Sequence, residues 1–220
     1  DRIVKTGNPI RSTMRPATPQ MKEEGLRFYR LSPERSHLLI IGGSLGSGTL
    51  NRSVMEWISA GCPGGENLEV LWQCGRYYRK SVDEFMKRAA AEGLGGSALA
   101  GVRPMDFIGR MDLAYAVADA VVSRSGASSV SELCACGKAA IFVPSPNVAE
   151  DHQTHNAMAL VSKGAGLLIR DSEATQKLMA TACALLRGRE KIEKMESNAL
   201  KLALPDAARA IADEIYKIIK

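Results

Sequence analysis

Hydrophobic positions along this chain fall in short unbroken runs separated by amphipathic stretches, not in the strict alternation of a half-buried sheet. Residues 37–41, 68–73, 102–107, 120–123, 139–143 and 167–169 read as strands. Between them, residues 50–60, 80–92, 113–118, a stretch from about 128, and 151–163 carry helical spacing. Three further helical stretches close the chain, broken near Gly188 and Pro205. Runs of Val, Ile, Leu and Ala bounded by helices imply strands buried on both faces, hence a parallel sheet with helices on two sides. The expected fold is α/β, a doubly wound parallel sheet. Ligands in such sheets sit beyond the carboxyl ends of the strands, so the loops at 42–48, 108–111, 124–129 and 144–155 are expected to converge on one cleft.

Residues 1–36 break this pattern. Asn8-Pro9, Arg15-Pro16, Thr18-Pro19 and Ser32-Pro33 act as breakers, and the segment reads as a lead-in strand and linker that forms no packed element. It holds eight Lys or Arg against four Asp or Glu, which accounts for most of the net charge of +5. The chain opens on Asp1 with what reads as interior sequence, so an upstream part is expected. The remainder, 37–220, reads as one domain, long enough at 220 residues in all to bury a full core.

Residues 120–132, Ala-Val-Val-Ser-Arg-Ser-Gly-Ala-Ser-Ser-Val-Ser-Glu, pass from a buried strand through a small-residue turn into a helix start. A helix beginning there leaves backbone N–H groups that favour an anion such as phosphate. Glu132 follows within the first turns, where a carboxylate accepts bonds from sugar hydroxyls. Phosphate and diol together suggest a nucleotide. Ser129 to Glu132 also fits a capping box that merely satisfies the helix's own end, and pattern alone leaves both readings open. Gly42-Gly43-Ser44-Leu45-Gly46 lets the backbone approach a phosphate or a facing domain; tight strand-to-helix packing is the alternative. It has neither the Gly-Lys-Ser/Thr ending of a P-loop nor the glycine spacing of a dinucleotide site.

The run Glu150-Asp151-His152-Gln153-Thr154-His155-Asn156 opens a helix with dense hydrogen-bonding chemistry. Gln153 and Asn156 share a helical face and present two amides suited to sugar hydroxyls. His152 and His155 are also three apart, but no third ligand is evident and no Asp-x-Asp pair exists to hold a cation on a diphosphate, so no metal is expected. No Gly-x-Ser-x-Gly elbow is present, which makes Ser44 a ligand contact and not a nucleophile. Aromatic residues make up 5% of the chain without basic interleaving, so nucleic acid is not expected as a partner. The five cysteines are odd in number and lack paired metal-ligand spacing; they read as reduced thiols. No apolar run approaches the roughly 20 residues of a membrane span.

Gly7-Asn8-Pro9-Ile10-Arg11, Gly42 to Gly46, Arg124-Ser125-Gly126-Ala127 through Glu132, Phe142-Val143-Pro144 and the run from Asp151 to Ala157 together resemble the MurG family. Its members are bacterial transferases that move N-acetylglucosamine from UDP to an undecaprenyl-pyrophosphoryl N-acetylmuramyl pentapeptide. The resemblance covers nearly the whole chain, with five motifs in the family's order. It corresponds to the family's carboxyl half: an interdomain linker, here 1–36, and the second of two Rossmann-like domains in a GT-B architecture, here 37–220, which binds the UDP-sugar donor.

The resemblance implies that Arg11 and Ser44 contact the donor diphosphate and that the Ile108 backbone meets the uracil. Gly126, Ala127, Ser128, Ser129, Val130 and Ser131 would form the loop that puts N–H groups on the diphosphate, with the Glu132 carboxylate on ribose hydroxyls. Gln153 would hold hydroxyls of the N-acetylglucosamine, with Asn156 nearby. It further implies UDP-N-acetylglucosamine as donor, lipid I as acceptor and lipid II as product of an inverting transfer in peptidoglycan synthesis. That reaction would run at the cytoplasmic face of the inner membrane, with peripheral attachment and no cofactor.

Two departures stand out. Leu45 replaces the family's usual Gln, and the glycine-rich loop and histidine that the family places on its amino-terminal domain have no counterpart here. The catalytic base is therefore unassigned and this chain alone is not expected to catalyse. A non-catalytic donor-binding subunit of a split transferase, or another UDP-sugar enzyme such as an epimerase, remain as alternatives.

Overall fold

The computed structural model describes residues 3–146 and 151–219. Six strands, β1 (Ser36–Ile41), β2 (Leu68–Gln73), β3 (Val102–Met105), β4 (Ala120–Ser123), β5 (Ala140–Phe142) and β6 (Gly166–Leu168), form one sheet of order β3-β2-β1-β4-β5-β6. Every pairing is parallel. The strand order reverses between β1 and β4, which opens a crevice at their carboxyl ends.

Period-two alternation within each strand feeds two cores. Leu38 and Ile40 of β1 pack with Val70, Trp72, Val122 and Ile141 on one face, whereas Leu39 and Ile41 join Leu71, Val121, Ala140 and Phe142 on the other. Helices α2 (Gly48–Ser59), α3 (Arg79–Ala91) and α7 (Asp171–Leu186) cover the first face. The second face is covered by α4 (Met111–Val117), α5 (Ala127–Cys136) and α6 (His152–Val161). Helix α8 (Arg189–Lys201) serves both, through Ile192 and Met195 on one side and Ala199 on the other. Each fully buried Leu, Ile or Phe contributes about 1.5–3 kcal/mol, so this two-sided burial is what holds the strand ends in register. The last helix, α9 (Ala207–Ile219), buries Ala207 and leaves Ile215, Tyr216, Ile218 and Ile219 exposed.

The segment 1–36 departs from expectation. It contains a packed helix, α1 (Pro19–Tyr29), lying against α4. Pro19 reads as a breaker but stands in the helix's first turn, where its missing N–H costs nothing. The Thr18 hydroxyl caps the Met21 N–H at 3.2 Å. Gly25 allows the close approach, since a Cβ there would meet Val117 Cγ1 at 2.6 Å. Met14, Tyr29 and Leu31 are buried in the second core. The lead-in strand expected within 1–36 is not present among the described residues 3–35.

Strand β3 also stops at Met105, short of residue 107. The Asp106 carboxylate accepts the Phe107 N–H at 2.9 Å and turns the chain there. Pro104 is tolerated within β3 because that strand lies at the sheet edge. Of the polar run at 150–156, Glu150 lies outside the described residues.

Candidate functional site

The register Ile41↔Ser123 sets Gly42 beside Arg124, so the loops after β1 and β4 leave the sheet together. In the first loop Gly43 and Gly46 both take φ of +83°, and the Gly46 N–H bonds to Gly43 O at 3.0 Å. A Cβ on Gly46 would stand 2.1 Å from the Cys74 carbonyl oxygen, so close packing on the end of β2 requires glycine here. Ser44 and Leu45 remain exposed at the tip. Packing and exposure thus belong to different residues of one loop.

Behind it, the buried Asn51 donates to Cys74 O at 2.9 Å and accepts from Trp72 Nε1 at 2.9 Å, fastening α2 to β2. Sequence reasoning missed Asn51. The available signal was an amide one position after Leu50, on the helix face that also carries Val54 and Ile58.

Helix α5 begins at Ala127, with Gly126 as its cap residue in extended conformation (φ −63°, ψ 149°) and no side-chain cap. The first helical return bond runs from the Val130 N–H to Gly126 O at 3.0 Å. Among the described residues the N–H groups of Ala127, Ser128 and Ser129 therefore have no acceptor. The capping box does not form, because the helix starts two residues before Ser129. Ser131 Oγ donates back to Ala127 O at 2.9 Å instead.

Glu132 of α5 has both carboxylate oxygens engaged. Arg11 Nη2 lies 3.1 Å from Oε1, and the Tyr115 hydroxyl donates to Oε2 at 3.2 Å. Arg11 is more than half exposed while Tyr115 is almost wholly buried. Burial, and then the charge of Glu132, hold the Tyr115 phenol well above its ordinary value, so it stays a donor. Asn8 Nδ2 reaches Ser128 Oγ at 3.5 Å, which brings a second residue of the opening segment to this helix end.

Gln153 and Asn156 lie at the same turn. Gln153 Oε1 accepts the Ser125 N–H at 3.3 Å and the Ser145 N–H at 2.9 Å, Ser125 Oγ donates to Gln153 O at 2.8 Å, and Asn156 Nδ2 donates to Ser125 O at 3.0 Å. These bonds fix both amides. Gln153 then offers its Nε2 hydrogens and Asn156 its Oδ1 to a ligand. Arg124 completes the turn, donating to Val143 O at 2.9 Å and Pro144 O at 3.0 Å and pairing with Asp171, whose second oxygen accepts Thr49 Oγ1 at 3.0 Å. A cleft of 590 Å3, lined in part by Ser145, Thr154, Met158 and Arg170, opens beside it.

The Ile108 side chain is buried, and among the described residues its backbone N–H and C=O have no intramolecular partner. The loop that carries it is braced by α1: Tyr29 donates its hydroxyl to Arg110 O at 2.8 Å. Burial, and then the charge of Asp112, push the Tyr29 phenol up to about 12. Arg110 pairs with Asp112 at 2.8 Å and with Glu24 of α1 at 3.3 Å. Among the anticipated residues, then, Arg11, Gly126 to Glu132, Gln153 and Asn156 form one connected cluster, while Ser44 and Ile108 stand in the loops after β1 and β3, whose carboxyl ends are separated by that of β2. His152 and His155 sit in the first turn of α6. Among the described residues no group of three or more His, Cys, Asp or Glu is arranged to hold a metal ion.

An open parallel sheet whose strand order reverses beside an uncapped helix terminus places the molecule in the Rossmann-like α/β class of GT-B glycosyltransferases. The chain belongs to the glycosyltransferase family 28 C-terminal domain family, whose pattern matches residues 37–211. It is 45% identical over 219 residues to the UDP-N-acetylglucosamine–N-acetylmuramyl-(pentapeptide) pyrophosphoryl-undecaprenol N-acetylglucosamine transferase of Parabacteroides distasonis, covering 100% of this chain and 56% of that protein. The protein of the same name from Bacteroides thetaiotaomicron is 43% identical, with 99% and 56% covered. Crystalline Acinetobacter baumannii MurG superposes with a TM-score of 0.70 at 27% identity, over 93% of this chain and 55% of that one. Anabaena Alr3699/HepE in complex with UDP and glucose shares the fold, with a TM-score of 0.65 at 16% identity, over 95% of this chain and 55% of that one. The chain spans about half the length of the curated relatives it matches.

Proposed function

We propose that this chain is the donor-binding domain of an inverting N-acetylglucosaminyltransferase that moves N-acetylglucosamine from UDP-N-acetylglucosamine to lipid I, yielding lipid II for peptidoglycan. The observation that carries the reading is the start of α5. Three N–H groups without acceptors among the described residues and the positive end of the helix dipole stand at the strand-order reversal, with a carboxylate less than two turns along. A UDP diphosphate fits the N–H groups and a ribose diol fits Glu132. Ser44 and Arg11 add polar and cationic contact to the diphosphate, the unpaired Ile108 backbone suits the polar edge of uracil, and Gln153 Nε2 with Asn156 Oδ1 suits sugar hydroxyls.

In the transfer the bond from the anomeric carbon to the UDP oxygen breaks, and negative charge grows on the departing diphosphate. Fixed N–H dipoles at α5 stabilise that charge without a metal ion. A sugar hydroxyl oxygen of the lipid I acceptor forms the new bond to the anomeric carbon from the opposite face and gives its proton to a base; the acceptor site and that base are read as belonging to the half of such transferases that this chain does not span. Domain roles follow: 1–36 as interdomain connection, with α1 bracing the base-binding loop, and 37–220 as donor site. Attachment is read as peripheral, at the cytoplasmic face of the inner membrane. No helix among the described residues is long and apolar enough to cross a bilayer, and the similarity to the named transferases supports the rest.

Calorimetry with UDP-N-acetylglucosamine tests the reading. Saturable heat in the parent and its loss in Glu132→Ala is the expected result; identical heats in the two would remove Glu132 from the site.

A further inference from the structure

We infer that Tyr115 is a positioning residue that sets the preference of this site for a ribonucleotide over a 2′-deoxyribonucleotide, by fixing the carboxylate of Glu132 from the protein side. The inference rests on the donor-site reading of Glu132. Its carboxylate has two partners of opposite character. Arg11 comes from the solvent-exposed opening segment, with a side chain more than half accessible, and it is free to turn toward an arriving diphosphate. Tyr115 is 2% exposed, lies among Leu113, Leu133 and Cys136 in the second core, and donates to Oε2 at 3.2 Å.

When Arg11 leaves, the Tyr115 hydroxyl remains as the bond that keeps Oε1 turned outward. An oriented carboxylate accepts from a diol in a defined geometry, whereas a rotating one loses that selectivity to conformational freedom. The position of Tyr115 in the chain adds to this. It lies on α4, the short helix that follows directly from the Ile108 loop, so one element links the group that meets the base to the group that meets the ribose. Tyr29 of α1 secures the start of the same element through Arg110 O.

Titration of the chain with UDP and with 2′-deoxy-UDP, for the parent, Tyr115→Phe and Glu132→Gln, tests the inference. The parent should prefer UDP. Tyr115→Phe should lower that preference about tenfold, through UDP alone and with unchanged affinity for 2′-deoxy-UDP, as expected for loss of a hydrogen bond to a charged group. A purely structural role would weaken both ligands equally and leave the ratio intact. An unchanged ratio in Tyr115→Phe with a lost ratio in Glu132→Gln overturns the role of Tyr115 and spares the donor-site reading. An unchanged ratio in Glu132→Gln sinks both. Should the phenylalanine variant fail to fold, 4-fluorophenylalanine at position 115 fills the hydroxyl's place without a donor, and a ratio equal to the parent's then contradicts the inference.

Discussion

Arg124 Nη1 lies 2.5 Å from Asp171 Oδ1, joining the turn after β4 to the first residue of α7. Both side chains are mostly buried, and the same guanidinium nitrogen supports the carbonyls of Val143 and Pro144. Removing the arginine strands an acid and two carbonyls at once. Arg124→Met should cost about 3 kcal/mol in denaturant unfolding, and Asp171→Asn less, because arginine keeps its carbonyl acceptors. Equal stability of Arg124→Met and the parent would contradict this.

Gly46 takes positive φ with the Cys74 carbonyl where a side chain would go. Gly46→Ala should destabilise by about 3 kcal/mol, since strain and collision add. Gly43 has the same φ but open space around it, so Gly43→Ala should cost only about 1 kcal/mol. The difference between the two melting temperatures is the check.

Glu69 is buried near the opposite edge of the sheet. Burial alone would raise its pKa, but the Ser32 N–H at 2.7 Å and Arg103 at 2.8 Å outweigh it and hold the carboxyl below the usual value of 4.5. A depressed folded-state pKa contributes stability above the unfolded value, and that contribution is lost as pH falls through the lower folded value. The parent should therefore lose more stability than Glu69→Gln between roughly pH 5 and pH 3. Parallel unfolding curves over that window would contradict the assignment.

The strands and the loops that carry the site were legible because burial on both faces writes itself as unbroken apolar runs. What stayed hidden depended on pairing or on position within a turn. Thr18-Pro19 has the letters of a breaker and the geometry of a helix start, and only the packing of Gly25 on Val117 decides between them. Ser129 to Glu132 has the letters of a capping box, but the helix begins at Ala127, so Glu132 is released to Arg11 and Tyr115. Arg11 and Glu132 are separated by 121 positions, and Arg124 and Asp171 by 47; no local spacing encodes either contact. The resemblance to a family named Arg11 and Glu132 separately, and only the fold revealed that they meet.

Ala127 offers a way to delete one donor and keep the helix. Proline is favoured at the first helical position, and Gly126 already has the extended conformation that a following proline requires. Ala127→Pro should unfold at the parent's temperature yet bind UDP about tenfold more weakly, through loss of one charge-assisted bond. Unaltered affinity in a folded variant would mean that this N–H does not touch the nucleotide.

The most direct test of the account is an amide-resolved titration of the 15N-labelled chain with UDP. The largest shifts at saturation should fall on Ala127, Ser128 and Ser129, with Ile108 and Glu132 following at the same apparent affinity. Shifts confined to other parts of the molecule, or none at ligand concentrations that saturate a donor site, would contradict nucleotide binding at the start of α5.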